Sequence, residues 1–317
     1  MPLNDIVENA CLQRWWDNLR RHPQQRNTPQ EADCELIALP GGMAAFTIDT
    51  VAEECAAGFY TEPETIGWMG AAVSLSDLAA VGAEPVGLLV AVTLSDPSAQ
   101  EGIARGLEAA CRSAGTWVLG GDTNFGAATS ITCAAIGLAP QPLTRVGCRP
   151  GDGVFVTGKM GLGACCAARA LLGFPFPESE FRPAARLAEG RQLRGIATSC
   201  MDTSDGFLAT LDQLARLNGV GFEISLTAEE LLDARALELC RERGLSTLLP
   251  LAQQHGEFEL VFTAGEAPGF LCIGRVTVGP DIRVGGQVLN TGAIRNVLPE
   301  SAGDVQRYLR KLGEMLR

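Results

Sequence analysis

The chain has 317 residues, 46% hydrophobic and 20% charged; at roughly 100 to 200 residues per domain, this is material for two folded domains and not for a disordered chain. Its 25 Lys and Arg against 37 Asp and Glu leave a net charge of −12, a sign that repels a phosphate backbone and argues against nucleic acid as a partner. Val86 to Val92, among the longest apolar runs, falls far short of the roughly 18 to 20 residues of a membrane span, so no membrane is expected.

Met1 to Asp17 carries Asp5, Glu8 and Asp17 where a leader would be basic, which points to the cytoplasm. Eleven cysteines are scattered without a Cys-x-x-Cys pair, the pattern of small buried hydrophobes and not of a disulfide framework or thiolate metal site. With only His22 and His255, histidine-rich metal sites are excluded as well.

In chain order, residues 3 to 20 read as an amphipathic helix with Leu12, Trp15, Trp16 and Leu19 on one stripe, a packing or dimer-edge element. Cys34 to Leu39 and Met43 to Thr50 read as strands joined by a Pro40-Gly41-Gly42 turn. A helix over 63–82, a buried strand over 86–94, a helix over 99–114 and strands over 117–119 and 130–138 follow, an alternation that argues for an α/β layer. The turn formers of Gly147 to Gly153 place a domain boundary after residue 147, giving domains 1–147 and 148–317. The second half reads as strand 154–157, helices 164–172 and 184–194, strand 196–201, helix 206–217, strand 221–225, a helical region 227–243, and strands 259–263, 270–277 and 281–284.

Aspartates recur at the ends of apolar strands: Asp33 before 34–39, Asp49 closing 44–48, Asp122 closing 117–121, and Asp202 closing 196–201, with Asp205 three residues on. Asp77 interrupts a helix otherwise apolar or small from Ala71 to Ala80, where a lone charge is expensive unless paired or metal-bound. Each alone reads as a cap or turn, and Asp205 before Gly206 fits an N-cap by itself. Together, carboxylates at roughly 5 Å repel by about 3 kcal/mol per pair at an effective dielectric of 20, so such a cluster needs cations. Oxygen ligands without His or thiolate select hard ions, and Mg²⁺ with bound phosphate fits.

Gly120-Gly121-Asp122-Thr123 ends a strand with two residues that let backbone approach an anion. Thr157-Gly158-Lys159-Met160-Gly161-Leu162-Gly163 leads into a helix start, where free N–H groups favour anions, but for this loop alone a plain strand-to-helix turn is the better reading. Neither matches the P-loop or the dinucleotide fingerprint.

The segments Ser76-Asp77-Leu78-Ala79-Ala80-Val81-Gly82-Ala83-Glu84-Pro85, Gly120-Gly121-Asp122-Thr123 and Asp202-Thr203-Ser204-Asp205-Gly206, in this order and spacing, resemble the thiamine-monophosphate kinase family. That family shares a superfamily with aminoimidazole ribonucleotide synthetase, selenophosphate synthetase and a hydrogenase-maturation dehydratase. The resemblance runs from about Asp33 to Ile282. It implies an α/β (α+β) fold of two domains, aminoimidazole ribonucleotide synthetase-like, the N-terminal one forming a barrel across a homodimer and the C-terminal one α/β. It also implies ATP as co-substrate, with several Mg²⁺ ions between the domains.

Position by position, Asp33, Thr47, Asp49, Asp77, Asp122, Asp202 and Asp205 would be metal ligands, with Asp122 and Asp205 closest to the chemistry. Gly121, Asp122, Arg145 and Ser204 would contact the nucleotide. Ile48 stands where the family has a second hydroxyl.

The departures fall on the acceptor side. Ala56 stands where those kinases have a His, and Gly256 where they have a substrate-facing Glu, within Gln254-His255-Gly256-Glu257-Phe258-Glu259-Leu260; no match to their C-terminal aromatic segment is evident in Asn290 to Val297. The expected activity is an ATP- and Mg²⁺-dependent phosphotransferase acting on a small (phospho)metabolite, with Glu53, Glu54, His255 and Glu257 as acceptor-side residues. The rivals are an ATP-dependent ligase or dehydratase of the same superfamily and a non-catalytic nucleotide-binding protein.

Overall fold

In the computed structural model, which describes residues 1–301 and 303–316, the chain opens with α1 (Val7–Asn18). Most of its apolar stripe is exposed, Trp15 at 66%, and only Trp16 is half-buried, with Arg21 over its ring. The helix is held instead by polar contacts: the Asn9 amide donates to Gln213 Oε1 at 2.9 Å, and Val7 N donates to Asn296 Oδ1 at 3.0 Å.

The expected hairpin forms from β1 (Glu35–Leu39) and β2 (Gly42–Thr50), paired antiparallel with Leu39 opposite Gly42. A short helix α2 (Ala52–Ala56) follows, then α3 (Pro63–Ala80). Pro63 sits in the first turn, where it is pre-set for a helix, and thirteen α3 residues are fully buried. A helix apolar all round must be covered on every side. β2, β5, α4, α6 and β7, ranges below, cover it.

The first sheet is completed by β3 (Glu84–Leu94), α4 (Gln100–Ala114) packed behind it, β4 (Val118–Phe125) and β5 (Ser130–Leu138), in the order β1-β2-β5-β3-β4. β4 corrects the reading that ends this strand at 119. It runs on through Gly120-Gly121-Asp122-Thr123 because it pairs in parallel with β3 from Leu88 to Leu94. Backbone pairing to a long neighbour outweighs the low strand propensity of two glycines and an aspartate. On the far edge β1 is covered by residues 24–26, which exchange hydrogen bonds with Leu36 and Ala38. Among the described residues the β4 edge has no such cover, and all eight of its residues are exposed.

The second half holds β6 (Gly153–Val156), α5 (Leu162–Leu172), α6 (Leu187–Gln192), β7 (Ser199–Asp202), α7 (Phe207–Asn218) and β8 (Gly221–Ile224). After these come α8 (Ala228–Leu231), α9 (Ala234–Arg243), α10 (Leu249–Ala252), β9 (Leu260–Ala264), β10 (Leu271–Thr277), β11 (Ile282–Val284) and β12 (Gln287–Leu289). The seven strands run β12-β11-β8-β10-β6-β9-β7. The expected single helical region over 227–243 is two helices, since Asp233 starts α9 as an N-cap, accepting from Arg235 N at 2.8 Å.

Two helices close the chain, α11 (Thr291–Ser301) and α12 (Val305–Met315). Sequence reading missed both, although Val305, Tyr308, Leu309 and Leu312 follow helical spacing. One continuous core joins the two halves. All eleven cysteines are free and eight are buried, as the spacing suggests. Among the described residues no helix is long and apolar enough to cross a membrane.

Candidate functional site

α3 carries three polar positions, Ser74, Ser76 and Asp77, into the seam between the sheets. Ser74 Oγ donates to the Cys133 carbonyl at 2.7 Å, Ser76 Oγ donates to Asp202 Oδ2 at 2.5 Å, and Asp77 Oδ2 accepts from Thr47 Oγ1 at 2.5 Å. Thr47 and Asp49 lie two apart on β2, on one face, while Ile48 points the other way and is 69% exposed. Asp202 comes from the end of β7, on the opposite sheet, where Ser204 Oγ donates to its Oδ1 at 2.9 Å. Asp33, from the loop before β1, completes the convergence. One oxygen each of Asp33, Asp77 and Asp202 lies within 4.8 Å of the others.

The electrostatics are those of a site built for positive charge. Burial pushes the Asp202 carboxyl up to about 7, helped by Asp33. Burial, then Asp49, Asp202 and Asp33, push Asp77 well above the usual carboxylate range, and burial raises Asp49. The only guanidinium bonded to the cluster among the described residues is Arg145, whose Nη2 donates to Asp33 Oδ1 at 2.8 Å. Burial would weaken its charge; Asp33, Asp77 and Asp202 overcome this and hold it more firmly protonated.

Asp33 Oδ2 is buried with no hydrogen-bond partner among the described residues, and so is Arg145 Nε. A buried carboxylate oxygen without a donor is costly. Three such acids sharing less than 5 Å match the donor set of a hard divalent cation. The residues therefore fit Mg²⁺.

The other sequence candidates lie outside this cluster. Asp122 is on exposed β4 and accepts from Asn124 Nδ2 at 2.9 Å. Asp205 is exposed and makes no cap; α7 begins after Gly206 without a side-chain cap. Gly121 has a packing reason to lack a side chain, since a Cβ there would lie 1.8 Å from the Val90 carbonyl of β3.

The helix start after the Gly158–Gly163 loop is already filled from within. Glu257 accepts from Gly163 N at 3.0 Å and sits at the α5 N-terminus, whose free N–H groups favour an anion. Burial raises Glu257 to about 7, partly offset by those backbone donors. His255 is likewise a core residue. Burial lowers it to about 4, its Nε2 meets Tyr60 Oη at 3.2 Å, and Phe59, Tyr60 and Phe181 surround the ring.

On the acceptor side, Ala56 is exposed at the end of α2. Gly256 has no room for any side chain: a Cβ there would lie 1.5 Å from the Thr203 carbonyl. A substrate-facing Glu at 256 is therefore incompatible with this backbone.

Comparison with known proteins gives a consistent result. A family model for the N-terminal domain of AIR synthase related proteins matches residues 31–139. A thiamine-monophosphate kinase from Archaeoglobus fulgidus is 32% identical over 257 residues, 79% of this chain and 83% of that protein. The solved thiamine-monophosphate kinase from Stenotrophomonas maltophilia K279a has a TM-score of 0.69 at 25% identity, covering 90% of this chain and 98% of that one. AaThiL complexed with AMPPCP and TMP shares the fold, with a TM-score of 0.76 at 23% identity over 92% of this chain and 97% of that one.

Proposed function

The chain belongs to the thiamine-monophosphate kinase family, and on that premise we propose that this ATP-dependent kinase passes the γ-phosphoryl group of ATP, with Mg²⁺, to a small acceptor other than thiamine monophosphate. The reading is carried by the convergence of Asp33, Asp77 and Asp202 around the buried, unpartnered Asp33 Oδ2. The A. fulgidus relative is named for phosphorylating thiamine monophosphate, and AaThiL was solved with AMPPCP.

Asp33, Asp77 and Asp202 would hold the metal, with Asp49 and Thr47 beside them, and Mg²⁺ bound there would neutralise the triphosphate and bridge its oxygens. The hydroxyls of Thr47, Ser76 and Ser204 fix the carboxylate orientations, so the ligand set is organised before nucleotide arrives. Arg145, with Nε still to satisfy, is a donor for a phosphate oxygen. Gly121, Asp122 and Ser204 are assigned to the nucleotide, and Asp122 and Asp205 to further ions on the triphosphate. Residues 1–147 would supply most metal ligands and residues 148–317 the acceptor walls.

A homodimer is part of this reading. Its support is the uncovered β4 edge together with exposed apolar side chains on the same sheet, Leu119 at 53% and Phe125 at 72%. An open, apolar sheet edge is a template for pairing.

Two features support an acceptor other than thiamine monophosphate: the exposed Ala56 and the blocked Gly256. The test is product analysis with Mg-ATP and a fractionated metabolite pool. ADP with a newly phosphorylated metabolite supports the reading; ADP with free phosphate and a condensed product contradicts it.

A further inference from the structure

A cavity of about 290 Å³ lies apart from the carboxylate cluster, in that none of the clustered aspartates lines it. Its walls are hydrocarbon: Leu171 and Leu172 of α5, Leu239 of α9, Leu249 of α10, Leu298 of α11 and Leu309 of α12. At that size it lies near the lower end of small-molecule pockets, roughly 300 to 1,000 Å³.

Almost every polar group at its rim is already bonded to protein. Gln253 exchanges hydrogen bonds with the His255 backbone, and Gln254 Nε2 donates to the Arg295 carbonyl at 2.8 Å. Tyr308 Oη accepts from Gln254 N at 3.3 Å, and Ser301 Oγ donates to the Val297 carbonyl at 2.7 Å. Asp304 caps α12 through Arg307 N at 2.9 Å.

The glutamates are the exceptions among the described residues: Glu53 is exposed, and Glu54 Oε2 is buried with no partner. Burial raises this carboxyl, as it does any acceptor cut off from water without a donor. No Lys or Arg is among the described lining residues, and Glu53, Glu54 and Asp304 give the rim a negative sign.

We infer that this cavity binds a small molecule with an aliphatic body and a single hydrogen-bond donor, an alcohol or protonated amine, whose donor meets the Glu54 carboxylate. Leucine walls reward apolar area, and the unpaired carboxylates of the rim favour a donor over an acceptor. An anionic head finds no cation here and meets like charge. Glu54 follows soon after Asp49, since α2 comes directly after β2, which ties the cavity to the kinase reading proposed above. On that reading, and only for this role, the ligand is the phosphoryl acceptor.

Cyclohexylmethanol and cyclohexanecarboxylate serve as probes, titrated by ligand-observed NMR into the full chain with Mg²⁺ and a non-hydrolysable ATP analogue. The alcohol is expected to bind saturably and the carboxylate at least tenfold more weakly. Glu54→Leu should weaken alcohol binding at least tenfold, and Ala167→Phe, which fills the cavity from a half-buried wall position, should abolish it; cooperative thermal melting confirms that each variant is folded. Absence of saturable alcohol binding by the wild type, undiminished binding by folded Glu54→Leu, or equal binding of the carboxylate overturns the inference. ADP formation separates it from the kinase reading. Alcohol binding without ADP formation leaves the cavity's ligand class standing and removes its role as acceptor, whereas phosphorylation of another metabolite with no alcohol binding leaves the kinase and removes the cavity's ligand.

Discussion

Asp77 concentrates the residue-scale argument. It is the only charged side chain of the central helix from Thr65 to Ala80, and its neighbours Asp49, Asp202 and Asp33 all disfavour its ionised form. Asp77→Asn should therefore abolish ATP turnover while leaving metal-free stability unchanged or higher, because it removes a ligand and a repulsion together. ADP release and urea unfolding check the two halves; normal turnover would remove Asp77 from the metal site.

Glu257 gives the pH test. Its folded-state value, about 7, lies above the ordinary 4.5, so the stability it supports is fully present below about pH 4 and is lost as pH rises through 7. Relative to Glu257→Gln, the wild type should lose on the order of 3 kcal/mol between pH 4 and pH 8. Parallel stability curves for the two proteins would show that burial of this carboxyl carries no such cost. The aspartates were legible in sequence because a charge at a strand end or inside an apolar helix is conspicuous. The capping role of Glu257 was not, since the helix it caps lies 94 residues earlier in the chain. The core location of His255 depends on Tyr60 and Phe181 and was equally hidden.

Among the elements, α3 was readable from its run of small and apolar residues, and the β1–β2 hairpin from its turn. β4 was half read, because Gly120-Gly121 looks like a loop until its parallel pairing with β3 is known. The C-terminal pair α11 and α12 was missed, and with it Tyr308 as a wall of the cavity. The exposed β4 edge leads to a prediction at this scale. Sedimentation velocity at micromolar concentration should give a homodimer, since a strand exposed along its whole length beside Leu119 and Phe125 is otherwise an aggregation hazard. A monomer would contradict the pairing.

At the scale of the whole molecule, the two sheets face each other across α3. The proposed metal ligands come from both: Asp33 from beside the first sheet, Asp77 from α3, Asp202 from the second. This arrangement explains why short motifs far apart in sequence carried the family resemblance so well. Two of the three motifs place a carboxylate in the shared seam, Asp77 and Asp202, whereas Asp122 of the third lies on exposed β4. The acceptor side was legible only as departures at Ala56 and Gly256. Their physical basis, solvent at one and the Thr203 carbonyl at the other, needed the fold.

The central claim is that the nucleotide side is kept and the acceptor side rebuilt, and turnover with thiamine monophosphate at saturating Mg-ATP tests it most directly. A site that has lost polar partners for a ligand loses about 1 to 3 kcal/mol for each group left unpaired. Two such losses, at Ala56 and Gly256, predict little or no phosphorylation of thiamine monophosphate. A rate typical of enzymes, on the order of 1 per second or faster, would contradict the account and make this chain a thiamine-monophosphate kinase in substrate as well as in family.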